Sequence, residues 1–171
     1  MVIFVGGIHG SGKGTICVQL AKSINYTHFT ASELLKWNEV SHDKNNKYVQ
    51  DISDTQEKLI KGLEEVKKSH SKIILDGHYC LFNSKGIPER VPISTFEKID
   101  PKVICVVYAD PRDILARLQE RDGKIYDLAV IQGMQQLELD YAQELAEYFG
   151  RRIKKINSEN LNLEELIAEL K

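Results

Sequence analysis

Cysteine, long apolar runs and net charge are all scarce in this chain of 171 residues, and each scarcity removes a class of protein. Its cysteines, Cys17, Cys80 and Cys105, are odd in number, far apart and without CxxC spacing, so neither a disulfide framework nor a zinc site is expected. Cys17 and Cys105 stand within apolar patterns and read as core packing. No segment reaches the roughly 18 consecutive apolar residues that a membrane helix needs. The opening run from Met1 to Gly6 is apolar, but it meets glycine too early for a signal-peptide core and carries no basic leader. It reads as a buried strand, and a cytoplasmic protein without membrane attachment is expected. The formal net charge of −2 argues against a dedicated nucleic-acid binder, which carries a basic excess or stripe, and leaves small anionic substrates open. Oligomeric state has no signature in the sequence.

The remaining composition, 28% charged and 42% hydrophobic, is that of one globular domain spanning residues 1–171, long enough to bury about two-thirds of its unfolded surface. There is no internal repeat, low-complexity tract or long linker. Short β-branched runs alternate with longer helical patterns, the signature of a parallel sheet covered by helices. Five strands are expected: Val2–Val5, a short one near Tyr26–Phe29, Lys72–Leu75, Val103–Tyr108 and Arg152–Ile156. The third and fourth are continuous apolar runs, as in strands buried on both faces.

Helices are expected between them. Ser53-Asp54 precedes Leu59, Leu63 and Val66 at helical spacing, and Asp110-Pro111 supplies a cap and a first-turn proline before Ile114, Leu115 and Leu118. Leu128, Ile131, Met134, Leu137, Tyr141 and Leu145 mark a long helix that stops at Gly150. A last helix covers Leu163 to Leu170. The polar stretch Ser41–Lys47 and the segment containing Gly86-Ile87-Pro88 and Pro92 read as irregular.

The strongest chemical signal is Gly7-Ile8-His9-Gly10-Ser11-Gly12-Lys13-Gly14-Thr15, which follows one expected strand and opens a helix. Glycines at Gly7, Gly10, Gly12 and Gly14 let backbone N–H groups turn toward a phosphate, Ser11 lies within the cradle, and Lys13 can reach β and γ oxygens. ATP with Mg²⁺ is the cofactor pair this predicts. Gly14 stands where the usual pattern has Ser or Thr, so the metal must be held by phosphate oxygens, waters and carboxylates elsewhere, with Thr15 one residue late as a further metal candidate. Asp76 ends a buried strand on the side where ligands sit in parallel α/β sheets, which suits a carboxylate orienting Mg²⁺ through water; capping a turn is its plainer role. His78 positions Asp76, touches an acceptor, or is an ordinary loop histidine. Arg112, Arg117 and Arg121 lie on the helix entering Asp122-Gly123-Lys124, a short lid, where arginines would stabilise a transferring phosphoryl group. Arg90 and Lys85 are further acceptor-side candidates.

The Gly-Lys-Gly-Thr ending resembles that of adenylate kinases, and the chain beyond it is similar to the archaeal-type adenylate kinases over nearly its whole length. Ile74-Leu75-Asp76-Gly77-His78, Lys85-Gly86-Ile87-Pro88, Ile99-Asp100-Pro101 and Ala109-Asp110-Pro111 carry the likeness in order. The resemblance implies a P-loop NTPase fold with a five-stranded parallel sheet, helices on both faces, an acceptor-binding insertion at about 30–70 and a lid at about 117–128. It implies that Arg117 covers the adenine, Arg121 reaches the phosphates and Asn157 lies near the base. Thr30-Ala31-Ser32-Glu33-Leu34-Leu35-Lys36 resembles the family's monophosphate-binding segment, with Thr30 at its start and Lys36 where the family has an arginine. A lysine brings charge without the planar fork. The expected function is ATP-dependent phosphoryl transfer to a nucleoside monophosphate, foremost AMP. The alternatives are a kinase for a nucleoside, small metabolite or RNA end, with Asp76 or Glu33 as base, and a non-enzymatic ATP-dependent switch.

Overall fold

The computed structural model describes residues 1–35, the short strand at 48–49 and residues 52–170, with the backbone alone described at 48, 49, 52 and 53. Lys36 and the stretch Ser41–Lys47 lie outside the described residues. The main sheet has five parallel strands in the order β2-β4-β1-β7-β8, where β1 is Val2–Gly6, β2 Thr27–Thr30, β4 Ile73–Asp76, β7 Pro101–Tyr108 and β8 Arg152–Asn157. The helices are α1 (Lys13–Ile24), α2 (Ala31–Leu34), α3 (Ile52–Lys67), α4 (Ile93–Ile99), α5 (Pro111–Asp122), α6 (Leu128–Phe149) and α7 (Leu163–Leu170).

Successive residues of the central strands feed opposite cores, because strand side chains alternate across a sheet. On one face Phe4, Leu75 and Val106 pack with Leu63 of α3, Phe96 of α4, Ile114 of α5 and Met134 of α6. On the other, Ile3, Val5, Ile74 and Cys105 pack with Ile16, Cys17 and Leu20 of α1 and with Leu166 and Leu170 of α7. Both faces are therefore covered, as the continuous apolar strands require. All three cysteines are free and buried.

Local signals set the helix ends. The Asp110 carboxylate accepts a hydrogen bond from Arg112 N before the first-turn Pro111, and Asp127 does the same for Ala129 N at the start of α6. Gly123 and Gly150 end α5 and α6 in the left-handed conformation.

Two departures from expectation fall in one region. A second, three-stranded sheet joins β3 (Tyr48–Val49), β5 (Cys80–Asn83) and β6 (Pro88–Arg90), and α4 begins directly after Pro92. Residues 84–87 close the β5–β6 hairpin, the Asn83 side-chain carbonyl accepting from Lys85 N and Ile87 N. The strands are short and β6 opens on a proline, so the pattern there reads as irregular in one dimension.

Tyr79, fully buried between β4 and β5, holds this region to the main sheet. Its ring packs 5.0 Å from that of Phe4 and 5.7 Å from that of Phe96, and its hydroxyl donates to Cys105 O at 2.8 Å. Tyr79→Phe, which removes only the hydrogen bond, is expected to lower unfolding free energy by about 1 kcal/mol. Phe4→Ala, which empties part of the core, is expected to lower it by about 3–5 kcal/mol. Urea midpoints of the two variants test this order.

Candidate active site

The loop between β1 and α1 crosses the carboxyl end of the sheet. Gly7 has φ +143°, and a Cβ there would meet Val107 O at 2.4 Å, so the chain can pass this close to β7 only as glycine. Gly12, at φ +87°, caps α1 without a side-chain hydrogen bond, and no acidic residue occupies the first turn. The helix therefore begins with backbone donors available to an anion, on its positive end. Ser11 Oγ is buried in the loop and has no hydrogen-bond partner.

Lys13, the first residue of α1, forms an ion pair with Asp76 Oδ1 at the end of β4. Burial pushes the Asp76 carboxyl up, but the His28 imidazole and the Lys13 ammonium together outweigh it and hold the group below the ordinary carboxylate value. Asp76 is thus a fixed negative charge beside the loop. A side chain at Gly14 would begin 3.8 Å from Asp76 Oδ2, so the missing hydroxyl leaves open space next to this oxygen. That space and an ionised carboxylate fit a hydrated Mg²⁺ ion.

Two clefts meet at the loop. The larger, about 770 Å³, runs under α2 and α3 and is lined by Lys13, Asp76, His9, His78 and Thr30 at its polar end. Leu59, Leu81, Phe96 and Ile99 form apolar walls, with Thr55, Gln56 and Thr95 among them. The smaller, about 630 Å³, lies on the opposite side of the loop between Gly10, Gly12, Thr15, Arg117, Ser158 and Leu161.

Several expected site residues occupy these clefts and others do not. Arg117 reaches back from α5 to donate to Gly10 O at 3.1 Å and to Glu159 at 3.4 Å. The Asn157 side-chain carbonyl accepts from Glu159 N at 2.9 Å, shaping the loop after β8, while the neighbouring Ser158 Oγ is buried without a hydrogen-bond partner. Thr30 and Glu33 cap α2 reciprocally, which commits the Glu33 carboxylate to Thr30 N. Arg121 is held by its neighbour Asp122 at 2.6 and 2.7 Å. Arg90 forms a two-pronged pair with Glu144 of α6 and lies over the Tyr141 ring, outside the large cleft. Arg112 is exposed on the first turn of α5.

The residue that sequence reasoning missed is Glu138. It lies fully buried on α6, accepting from Tyr79 N at 3.0 Å and Cys80 N at 3.4 Å, with His78 Nδ1 3.4 Å away. One carboxylate thus pins the segment after β4, and the Gly7 N–H of the loop favours its charged form. The His78 ring in turn packs 4.2 Å from that of His9. A signal existed in the sequence: Glu138 falls on the stripe Ile131, Met134, Tyr141, Leu145, where a charge is costly unless it is used. Gln135, beside that stripe, likewise clasps Ala109 with reciprocal bonds of 3.1 and 2.9 Å.

Burial pushes the Glu138 carboxyl up to about 7, against the lowering effect of the backbone donors and Lys13. The folded state therefore binds a proton that the unfolded state releases near pH 4.5, and this group's contribution to stability declines as pH rises from about 4.5 to 7. Glu138→Gln cannot ionise. Its unfolding free energy should gain on the wild type by up to about 3 kcal/mol between pH 5 and 8, read from urea denaturation at each pH. A constant difference would show that Glu138 ionises normally.

A family model described as "AAA domain" matches residues 6–135. The adenylate kinase of Pyrococcus abyssi is 30% identical, over 99% of this chain and 92% of its own length. That of Methanothermobacter thermautotrophicus is 25% identical, over 99% and 97% respectively. Among solved structures, shikimate kinase from Aquifex aeolicus superposes with a TM-score of 0.54 at 16% identity, covering 99% of this chain and 93% of that one. A gluconokinase from Sinorhizobium meliloti gives 0.58 at 14% identity, covering 98% and 87%. These two likenesses extend to the fold alone. The near-complete match in sequence goes further, and with it the chain belongs to the AAA domain family and, within it, to the archaeal-type adenylate kinases.

Proposed function

We propose that this protein transfers the γ-phosphoryl group of ATP to a nucleoside monophosphate, with AMP as the foremost acceptor. The observation that carries the reading is the position of the phosphate loop between two clefts: Lys13 faces the larger one, while Gly10, Gly12 and Thr15 face the smaller. A donor bound on one side and an acceptor on the other meet in line at Lys13. The names of the relatives, adenylate kinases in archaea and a probable UMP-CMP kinase in Arabidopsis thaliana, support the same class.

In this reading ATP lies in the smaller cleft with its adenine between Arg117 and the loop at Asn157–Leu161. The backbone donors of the loop and α1 hold the β and γ phosphates, and Lys13 exchanges Asp76 for phosphate oxygens. Mg²⁺, held through water by Asp76, would neutralise phosphate charge. The acceptor base sits among the apolar walls of the larger cleft, with Thr55, Gln56 and Thr95 to read its edges. Its phosphate points to Lys13, His9 and His78, and Lys36 supplies further charge. An acceptor phosphate oxygen attacks the γ phosphorus, the bond to the β–γ bridging oxygen breaks, and ADP leaves with the electron pair. No side-chain nucleophile is needed. Residues 117–128 act as the lid, Arg121 leaving Asp122 to meet the transferring group. The chain works in the cytoplasm on small nucleotides; among the described residues no helix is long and apolar enough to cross a membrane.

The test is turnover of labelled ATP with AMP, UMP, CMP, nucleosides, short RNAs and no acceptor. Label should pass to AMP and yield ADP; transfer to a hydroxyl acceptor alone, or hydrolysis alone, overturns the reading. Lys13→Ala should abolish transfer while leaving the circular dichroism spectrum intact.

The two lid arginines should separate in kinetics. Arg121→Ala is expected to reduce kcat by roughly 10²-fold with little change in ATP affinity, the pattern of a contact made in the transition state. Arg117→Ala should instead weaken ATP binding. Equilibrium ATP titration and single-turnover rates on both variants distinguish these roles.

A further inference from the structure

Behind the Lys13–Asp76 pair, two donors that the phosphoryl-transfer reading does not use, Cys17 and His28, converge on Asp76. Cys17 of α1, His28 of β2 and Asp76 of β4 each present one ligand atom, and the three atoms lie within 4.8 Å of one another. Cys17 is fully buried and Asp76 nearly so. His28 Nε2 is buried without a hydrogen-bond partner and stands 3.8 Å from Asp76 Oδ2, beyond hydrogen-bond reach. A buried ring nitrogen that lacks a hydrogen bond is costly and uncommon, even with a carboxylate nearby. The free side of Asp76 is the same oxygen, since Lys13 occupies Oδ1. Next to it, Gly14 contributes no side chain to fill the space.

We propose that Cys17, His28 and Asp76 form a binding site for a thiophilic divalent cation, best matched by Zn²⁺, that competes with the phosphate loop for Asp76. The donor set is one thiolate, one imidazole and one carboxylate, which suits zinc and disfavours Mg²⁺, an ion that prefers oxygen alone. With Zn–S near 2.3 Å and Zn–N and Zn–O near 2.0 Å, donors around a tetrahedral ion stand about 3.3–3.8 Å apart. The observed spread closes on an ion with side-chain shifts of roughly 1 Å at most. The ion enters from the large cleft, where Asp76 is part of the wall, and a water completes the four positions. On binding, the Cys17 thiol releases its proton to solvent. The donors come from three separate elements and are 11 and 48 residues apart in sequence, so no linear spacing motif announces them.

The test uses the purified full chain after EDTA treatment, without nucleotide, so its outcome is independent of the proposed activity. Co²⁺ serves as the spectroscopic probe, and Zn²⁺ affinity is measured by competition with a chromophoric chelator. One Co²⁺ per chain should bind with a thiolate-to-cobalt charge-transfer band, and Zn²⁺ should displace it. Cys17→Ser should abolish the band, whereas Cys80→Ser and Cys105→Ser should retain it. His28→Gln should weaken Zn²⁺ binding by at least about tenfold, with urea midpoints in EDTA confirming that the variants fold. If Cys17→Ser fails to fold, the His28→Gln affinity and the retained band of the other two cysteine variants decide. Absence of a charge-transfer band in the wild type, or Zn²⁺ affinity unchanged in a folded Cys17→Ser or His28→Gln protein, overturns the proposal.

Discussion

A parallel sheet covered on both faces can place charge against solvent only at the ends of its strands, and everything chemical in this protein follows from that constraint. The carboxyl ends of β1, β4 and β7 deliver Gly6, Asp76 and Tyr108 to one edge, where the loops toward α1, β5 and α5 converge. Lys13 and Asp76 meet there as a nearly buried pair of opposite charges. Removing either partner would strand the other in a poorly hydrated site, at a cost of several kcal/mol. A phosphate arriving at the loop offers Lys13 an equivalent partner, so the ammonium can change partners without ever being left bare.

The guanidinium groups near the clefts are each matched by an acid: Arg90 by Glu144, Arg117 by Glu159 and Arg121 by Asp122. These pairs are partly exposed, and such contacts are weak in water. They are therefore cheap to break when a polyanionic ligand competes for the arginine. The large cleft, by contrast, has no arginine among its described lining residues; Lys13 lies there beside the adjoining imidazoles of His9 and His78.

The main sheet and its helices were legible because their causes are local. Continuous apolar runs such as Val103–Val107 identify strands buried on both faces, and Asp110-Pro111 and Gly150 mark helix ends that the backbone needs in any context. The phosphate loop was legible for the same reason, its glycines being dictated by backbone geometry. The β3-β5-β6 sheet was not, since strands of two to four residues containing Pro88 take their order from pairing partners distant in sequence. Within the site, Asp76 could be read from its place at a strand end. Arg90 was read as an acceptor-side cation, but nothing in its surroundings in sequence reveals Glu144, 54 residues later, which claims it. Glu138 could have been found by asking why an acid sits on an apolar helical stripe.

Helix α6 deserves to be seen as a structural member with four separate attachments. Glu138 grips the segment after β4, Gln135 clasps Ala109 ahead of α5, Tyr141 donates to Val91 O, and Glu144 holds Arg90. These attachments run from the border of the large cleft, at Val91, to Ala109 at the root of the lid. A rod of 22 residues, about 33 Å long, does not bend easily, so a shift at one attachment is shared among the others rather than absorbed locally. Where two ligands each displace such a common member, thermodynamic linkage makes their effects reciprocal: whatever factor the first imposes on the affinity of the second, the second imposes on the first. Donor and acceptor occupancy would then be read by one helix within a single chain.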